Sequence, residues 1–257
     1  MKMNKFRLIL DPQITGSMHM AKDSAVLYSL SQKEHHPTLR IGRWAEPTVS
    51  IGHLEDVNET VNINYCKKNN IPVIRRESGG GTVLHHMELS FSLTIPMSSV
   101  LIPQSVDESF RKIISPPIKT LKMFIEGVEY RPVNDIVVNK RKISGSAQVR
   151  KQGVLQQHGT VILDIDDEIL SSAINYNESK LLNRGFTSQR QAVTSLKDEM
   201  GKEIDEKLIE EFTASLLKNF AKEFKVDFIE SDITESEKTL MEEFVKKFSS
   251  DEWNLKK

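Results

Sequence analysis

Residues 75–86 read RRESGGGTVLHH, in which two arginines run into three consecutive glycines and the stretch ends on two histidines. A strand predicted over residues 72–76 places the glycines at its end. Glycine adopts positive φ and lets the backbone approach a ligand, so successive N–H groups of such a turn can face one anion. The arginines would add charge-assisted donors suited to phosphate. The stretch therefore indicates either an ordinary turn or an anion-binding loop.

The glycine spacing excludes two familiar nucleotide-binding loops. A Walker A loop is excluded because no Gly-Lys-Ser/Thr sequence follows the glycines. The dinucleotide-binding fingerprint is excluded because its glycines are spaced differently. The other polar segments of the chain are therefore needed to interpret this loop.

A second polar segment begins at Asn134. Short strands are predicted over residues 136–138 and 142–144, with Asn139-Lys140 between them as a tight hairpin turn and a loop after residue 144. Lys142 would extend a positive charge beside small residues that leave room for a ligand. Asp135, across the hairpin, could hold Mg²⁺ through one carboxylate. The alternative is a solvated hairpin with an ordinary Lys–Asp pair.

A third polar segment interrupts an apolar strand predicted over residues 154–163, where QQHGT occupies positions 156–160. His158 is either a hydrogen-bonded structural residue or a group that contacts a ligand. The residues by themselves leave both interpretations open.

The rest of the chain combines short strands with amphipathic helices. Further strands are predicted over residues 6–10, 38–44, 48–51 and 89–95, and helices over 18–30 and 106–125. Pro116-Pro117 is expected to break or kink the second helix. Residues from about 200 to 257 form a helical C-terminal segment, with a capping box at Thr234 and Glu237. The expected fold is α+β, a mixed β-sheet with surrounding helices, in a single domain over residues 1–257.

Composition excludes several classes of protein. The 257 residues carry 35 Lys+Arg and 36 Asp+Glu, so no global basic field would recruit nucleic acid or an anionic membrane. The apolar runs are too short to cross a bilayer or to form a signal-peptide core. The single cysteine, Cys66, excludes an internal disulfide framework and a Cys-cluster metal site. We therefore expect a cytoplasmic protein without nucleic-acid or membrane partners.

Taken together and in this order, three segments resemble the lipoate–protein ligase A family. The matching residues are 75–85, 134–138 and 141–147, and His158-Gly159-Thr160 follows at the expected distance. Weaker similarities occur at 39–44, 48–52 and 252–254. The superfamily also holds biotin ligases and octanoyltransferases. The resemblance covers nearly the whole chain and implies a biotin/lipoate ligase-like catalytic domain.

The resemblance implies an ATP-dependent lipoate–protein ligase. Such an enzyme activates lipoate to lipoyl-AMP with ATP and Mg²⁺, then transfers the lipoyl group to a lysine of a lipoyl domain or glycine-cleavage H protein. Lys142 would be the catalytic residue, in contact with the lipoate carboxyl and the α-phosphate, and Asp135 a possible Mg²⁺ ligand. The implied ATP- and lipoate-binding residues are Arg75, Ser78, Gly79, Gly80, Gly81, Thr82, Val83, His85, Asn134, Asp135, Lys142, Ser144, Gly145, Ser146, Ala147, His158 and Thr160.

Two departures from the family pattern carry expectations of their own. His86 stands where the family usually has Asp, so the loop or its metal could differ. The chain ends soon after Trp253, where many of these ligases continue into an accessory domain. The resemblance is therefore to the catalytic subunit of the split type, and we expect a separate accessory subunit.

Three alternatives remain open. The first is a lipoyl or octanoyl transferase that takes the acyl group from a protein thioester or amide without ATP. Such transferases place a nucleophilic cysteine shortly before the Lys-Ile-x-Gly motif, whereas residues 126–133 contain none and Cys66 is interpreted as structural. The second is a non-catalytic module that binds lipoyl-adenylate, with His86 as the mark of lost catalysis. The third is biotin transfer.

Overall fold

The computed structural model describes residues 4–176 and 178–256. The strands are β1 (Asn4–Ile14), β2 (Thr38–Trp44), β3 (Thr48–Ile51), β4 (Val73–Arg75), β5 (Val83–His85), β6 (Glu88–Pro96), β7 (Val128–Arg131), β8 (Asp135–Val138), β9 (Arg141–Lys151), β10 (Val154–Ile162) and β11 (Val226–Glu230). The helices are α1 (Gly16–Ser31), α2 (Val57–Thr60), α3 (Ile63–Lys68), α4 (Val106–Leu121), α5 (Asp167–Ala173), α6 (Glu178–Leu182), α7 (Gln189–Ala192), α8 (Leu196–Met200), α9 (Glu206–Phe224), α10 (Glu235–Phe248) and α11 (Asp251–Asn254).

The strands form one large and one small sheet. The large sheet has the order β11-β1-β2-β6-β10-β9-β8-β7, and the small sheet has the order β4-β3-β5. In the large sheet β1 runs parallel to both of its neighbours, β11 and β2. Every other pair of neighbouring strands in this sheet is antiparallel. The predicted fold class, a mixed β-sheet with surrounding helices, is confirmed.

One face of the large sheet carries the main hydrophobic core. Phe6 and Leu8 of β1 point to this face, as alternation along a strand requires. Helices α4 and α9 cover it with Phe110, Phe212 and other apolar side chains that are almost fully buried. Burial of each large apolar side chain contributes about 1.5–3 kcal/mol. The amphipathic stripe predicted for the C-terminal segment is therefore the packing face of α9.

The opposite face is held by buried charge. Arg7, between Phe6 and Leu8, donates two hydrogen bonds of 2.7 and 2.6 Å to the carboxylate of Glu237 in α10. Glu237 also accepts from the Thr234 N–H at 2.9 Å, which completes the predicted capping box. This ion pair therefore joins the start of α10 to β1, the strand next to the edge strand β11.

The β8–β9 hairpin differs from expectation in one respect. The strand β9 continues to Lys151, although residues 145–148 were expected in a loop. Gly145 and its small neighbours suggested a loop, but β9 pairs with β8 on one side and β10 on the other. The two residues of the β8–β9 turn, Asn139 and Lys140, both have positive φ, as the predicted tight hairpin requires.

Elsewhere, proline was a poor guide to the ends of elements. The strand β1 passes through Pro12 to Ile14 with an irregular register, and Pro116-Pro117 lies inside α4 without ending it. The C-terminal segment also contains β11, which pairs with β1 and which its helical pattern did not predict.

We expect Arg7→Met to destabilise the fold by about 3–5 kcal/mol at neutral pH, because it leaves a buried carboxylate without its cation. Burial opposes ionisation of Glu237, but Arg7 and the Thr234 N–H hold its pKa below the usual range. The contribution of Arg7 is therefore present above about pH 4.3 and is lost as the pH falls through the native pKa. Urea unfolding at several pH values, followed by tryptophan fluorescence, measures it.

The exposed residue Lys5 on the same strand provides the control for this measurement. Lys5→Met should leave the free energy of unfolding within about 0.5 kcal/mol of the parent value. An Arg7→Met variant as stable as the Lys5→Met variant at pH 7 would contradict the prediction.

Candidate active site

A cavity of about 670 Å³ opens between the glycine loop that follows β4 and the strands β9 and β10. It brings together most of the residues that the sequence singled out. The predicted residues that line it are Gly80, Gly81, Thr82, Val83, His85, Asn134, Lys142, Gly145, Ser146, Ala147, His158 and Thr160. Three separate segments of sequence therefore meet at one site.

Arg75 was expected in this cavity and lies behind it instead. Its side chain is buried, and one guanidinium nitrogen donates to the carbonyl groups of Gly52, His53 and Glu55 at 3.2, 3.2 and 2.7 Å. The other donates to the carbonyl of Lys256 near the C-terminus. Strand alternation explains the difference, because neighbouring residues at the end of β4 point to opposite sides.

Arg76 is the arginine that lines the cavity. Its guanidinium donates to Ser50 Oγ at 2.6 Å and to the carbonyl groups of Gly79 and Gly81 at 3.2 and 2.9 Å. Burial lowers the pKa of Arg76 to about 10, with the charge of Glu55 acting in the opposite direction, so the group is still a cation at neutral pH. Arg76 therefore sets the shape of the glycine loop.

The loop also depends on a close backbone contact. A Cβ atom added to Gly52 would lie 1.9 Å from the carbonyl oxygen of Gly80, which only a glycine at position 52 avoids. Gly80 itself has a φ of 93°, in the region that favours glycine. Thr82 donates to Glu55 Oε2 at 2.8 Å and anchors the far end of the loop.

Lys142 and Asp135 form an ion pair beside the cavity. Lys142 Nζ lies 2.8 Å from Asp135 Oδ1, and Arg131 lies 2.8 Å from Asp135 Oδ2. Burial opposes ionisation of Asp135, but Lys142 and Arg131 hold the pKa of this carboxyl below its usual range. Lys142 crosses directly over Gly145, where an added Cβ would lie 2.5 Å from Nζ.

The residues present do not fit the predicted magnesium site. Both carboxylate oxygens of Asp135 are already paired with cations. Across residues 4–176 and 178–256, no group of three or more His, Cys, Asp or Glu side chains is placed to hold a metal ion. Asp135 lies beside the cavity rather than in its lining, as does Ser144, which is buried.

The two site histidines are held by hydrogen bonds. His158 Nε2 lies 2.8 Å from Ser78 Oγ, so Ser78 orients the imidazole rather than facing the cavity. His85 Nδ1 lies 2.6 Å from Glu88 Oε1 and its Nε2 lies 2.6 Å from Ser50 Oγ. Both rings therefore form part of a fixed wall.

A second cavity, of about 420 Å³, continues from the first. The two share Arg76, His85, His158, Gly159 and Thr160 as lining residues. Its apolar walls include Met20, Trp44 and Phe91. The indole of Trp44 stacks on the ring of His85, with the two centroids 3.9 Å apart. The combined space is one continuous pocket with an apolar inner end and Lys142 at its outer end.

The floor of the inner cavity contains buried charges that the sequence analysis missed. Arg40 pairs with Asp11 at 2.6 Å and also with Asp23. Burial opposes ionisation of Asp23, but Arg40 and His158 lower its pKa to about 2. Side chains alternate along β2, so Arg40 lies on the face of the sheet opposite the main core. This alternation was the one feature of the sequence that could have indicated the buried charge.

We expect the protein to lose about 2 kcal/mol of stability between pH 7 and pH 5 through His19. Burial and the charge of Arg40 lower the pKa of His19 from 6.5 to about 4, so the unfolded chain takes up a proton in this interval and the folded chain does not. Urea unfolding at the two pH values measures the difference. His19→Asn should flatten the dependence, whereas His36→Asn, at an exposed position, should keep it. Equal slopes in the two variants would contradict the prediction.

Comparison with known proteins identifies the family. The family described as Lipoyl protein ligase A/B catalytic domain matches residues 15–221. The chain belongs to this family of catalytic domains, as the sequence motifs predicted.

Relatives that match over their full length include octanoyltransferases. Octanoyltransferase LipM of Clostridioides difficile (strain 630) is 31% identical over 276 residues, which cover 99% of this chain and 100% of the relative. Octanoyltransferase LipM of Brevibacillus brevis is 28% identical over 279 residues, with 99% and 100% covered. The prediction of an ATP-dependent lipoate ligase is therefore wrong, and the transferase alternative is the better supported reading.

Solved structures of similar fold include lipoate ligases. The bi-partite lipoate protein ligase of Thermoplasma acidophilum, described with its lipoyl domain, has a TM-score of 0.83 at 28% identity, with 98% and 96% of the two chains covered. A putative lipoate protein ligase from the same organism, with bound lipoic acid, has a TM-score of 0.79 at 26% identity, with 99% and 100% covered. A lipoate-protein ligase A bound with ATP has a TM-score of 0.80 at 27% identity, with 99% of each chain covered.

A separate finding concerns membranes. Among residues 4–176 and 178–256, no helix is both long and apolar enough to span a bilayer.

Proposed function

We propose that the protein is an ATP-independent acyltransferase. It passes an octanoyl group from a thioester to the ε-amine of a lysine on a lipoyl domain or a glycine-cleavage H protein. The observation that carries the proposal is the continuous pocket, whose inner end is apolar and whose outer end holds Lys142. The full-length similarity to octanoyltransferases supports it.

The pocket suits a medium-length acyl chain. Met20, Trp44 and Phe91 offer apolar surface at the inner end, and the charges of Arg40 and Asp23 below them neutralise each other. Burial of the chain would contribute about 0.8 kcal/mol for each CH₂ group. An acyl chain seated there leaves its carbonyl carbon near Lys142 and the glycine loop.

The reaction at this carbonyl needs no prior activation, because a thioester is already activated. The neutral amine of the acceptor lysine attacks the carbonyl carbon, and negative charge develops on the carbonyl oxygen. The C–S bond then breaks, and the departing thiolate takes up the proton that the amine nitrogen releases. We expect Lys142 to stabilise the developing oxyanion, with Asp135 holding its ammonium group in place.

The transfer we propose is direct, without an acyl-enzyme. The only cysteine, Cys66, is buried in an apolar cluster with Val49, Ile51 and neighbouring residues, and it does not line the pocket. Burial raises the pKa of its thiol to about 11, so the thiolate is scarce at neutral pH. The missing cysteine argued against a transferase only on the assumption that the acyl group must pass through the enzyme.

The expected accessory subunit remains a prediction. The bi-partite ligase of Thermoplasma acidophilum supports a two-chain arrangement in a protein of the same fold. In the reaction proposed here such a subunit has no adenylation to support. The need for ATP is therefore the first property to measure.

The test is transfer from an octanoyl thioester to an apo lipoyl domain and to an apo H protein, with and without ATP and Mg²⁺, read by intact mass spectrometry. We expect an octanoyl adduct at equal rates in both conditions. An adduct that forms only from free octanoate or lipoate with ATP would overturn the proposal. Binding of acyl compounds without transfer under any condition would indicate a non-catalytic module.

Lys142→Ala should lower kcat by at least about 100-fold, the usual cost of losing one oxyanion donor. Lys140→Ala, in the exposed turn of the same hairpin, should leave kcat unchanged. Gly145→Ala should lower kcat almost as much as Lys142→Ala does, because the added methyl group displaces the flexible end of the Lys142 side chain. The double variant should then be no slower than Lys142→Ala alone, and additive losses would show that Gly145 acts by another route.

Cys66→Ser should keep the rate of transfer within about two-fold of the parent rate, since the thiol does not reach the pocket. The dependence of the rate on the two substrates should also be unchanged. Trapping with a thiol-directed reagent checks the same point, because a buried thiol of raised pKa reacts slowly in the folded protein. Loss of transfer in a folded Cys66→Ser variant would restore an acyl-enzyme mechanism.

A further inference from the structure

A shallow groove of about 620 Å³ leads out of the pocket, between the glycine loop and the start of α4. Gly80, Asn134 and Ala147 line both the groove and the pocket, so the two spaces meet at these residues. The remaining lining residues of the groove are Gly79, Val106, Phe110, Gln148 and Arg150.

Direct transfer requires two routes to one carbonyl carbon, and this argument rests on the proposed function. Without an acyl-enzyme, the donor thioester and the acceptor lysine must be bound at the same time. The inner end of the pocket holds the acyl chain, so both the leaving thiol and the incoming amine must approach from outside. A single opening would make the two compete for the same space.

We propose that the groove binds the pantetheine-type arm of the acyl-thioester donor. This arm is a thiol-terminated chain with two amide groups and a phosphate at its far end. The acceptor lysine then approaches through the mouth of the main cavity, and transfer proceeds through a ternary complex. The sulfur of the arm lies near Gly80 and Ala147, and the phosphate end lies toward Arg150.

The lining of the groove suits such an arm. No atom lies within 4 Å of the position that a Cβ on Gly79 would take, so the floor is open there. Val106, at the first turn of α4, is 52% exposed and gives the wall an apolar surface. The side-chain amides of Asn134 and Gln148 give the same wall polar surface, held in place by hydrogen bonds to the Ser146 carbonyl and to Gln157 Oε1.

Charge at the outer end favours the donor over the acceptor. Arg150 donates to the carbonyl of Gln104 at 2.7 Å and to Ser109 Oγ at 2.8 Å, and among the described residues no carboxylate lies within ion-pair distance of it. Asp107, in the adjacent helical turn, is paired with Arg111 at 2.9 Å. The unneutralised guanidinium attracts a phosphate and repels the ammonium form of an acceptor lysine.

The test fills the groove and compares donors of different length. Val106→Trp places a large side chain over the path of the arm, and, independently, Arg150→Glu reverses the charge at the phosphate end of the groove. Each should raise KM at least 10-fold for octanoyl-CoA and for an octanoyl carrier protein. For octanoyl-N-acetylcysteamine, whose short arm ends before Val106, KM should change less than two-fold with kcat preserved.

Val100→Trp is the matched control, since Val100 is 95% exposed and does not line the groove. It should leave KM unchanged for all three donors. An effect of the groove variants on both long donors supports recognition of the arm itself. An effect on the carrier protein alone would show that the variants disturb a contact with the carrier, and it would overturn the inference. Unchanged KM for both long donors in two folded groove variants would overturn the inference.

The rate law provides an independent measurement on the unmodified protein. Initial velocities with donor and acceptor varied together should give intersecting double-reciprocal lines, as a ternary complex requires. Parallel lines would overturn the inference while leaving ATP-independent transfer intact. Failure of all three donors with the parent protein would instead refute the proposed function, so the two failures are distinguishable.

Discussion

The site depends on two arginines buried beside the glycine loop with backbone carbonyl groups as their main partners. Removing a guanidinium from water costs several kcal/mol unless its donors are satisfied. The terminal guanidinium nitrogens of Arg75 and Arg76 find their acceptors only when the loop at residues 52–55, the glycine loop and Lys256 are all in place. Burial of these cations therefore ties the shape of the pocket mouth to the completion of the fold.

A related constraint governs the inner end of the pocket, where apolar surface lies directly above charged side chains. Arg40 and Lys22 pair with Asp11 and Asp23, so cations and carboxylates balance in this layer, and His158 bridges from Asp23 toward the glycine loop. Mutual neutralisation lets this layer support an apolar ligand without exposing an unpaired charge to it. The same principle applies at Asp135, whose two cationic neighbours occupy the oxygens that a metal ion would need.

The mistaken expectation of a ligase has a chemical explanation. Lipoate ligation and octanoyl transfer both involve a medium-length acyl chain and both develop negative charge on its carbonyl oxygen, so the two reactions call for similar loops and a similar lysine. What separates them is the source of activation, an adenylate or a thioester, and the motifs around Arg76 and Lys142 do not encode it. The absence of a cysteine near residue 130 argued against a transferase, although direct aminolysis of a thioester requires no enzyme nucleophile.

The sequence by itself determined the class of fold, the hairpin turn at Asn139-Lys140, the capping box of α10 and the three segments that form the site, because these follow from local periodicity, turn chemistry and motif order. Only the tertiary structure decided that Arg76 rather than Arg75 faces the pocket. It also decided that residues 145–148 continue a strand and that Asp11, Asp23 and Arg40 form the pocket floor. Strand pairing and charge pairing over long sequence distances set these features, and no local pattern records which partner a buried group will meet.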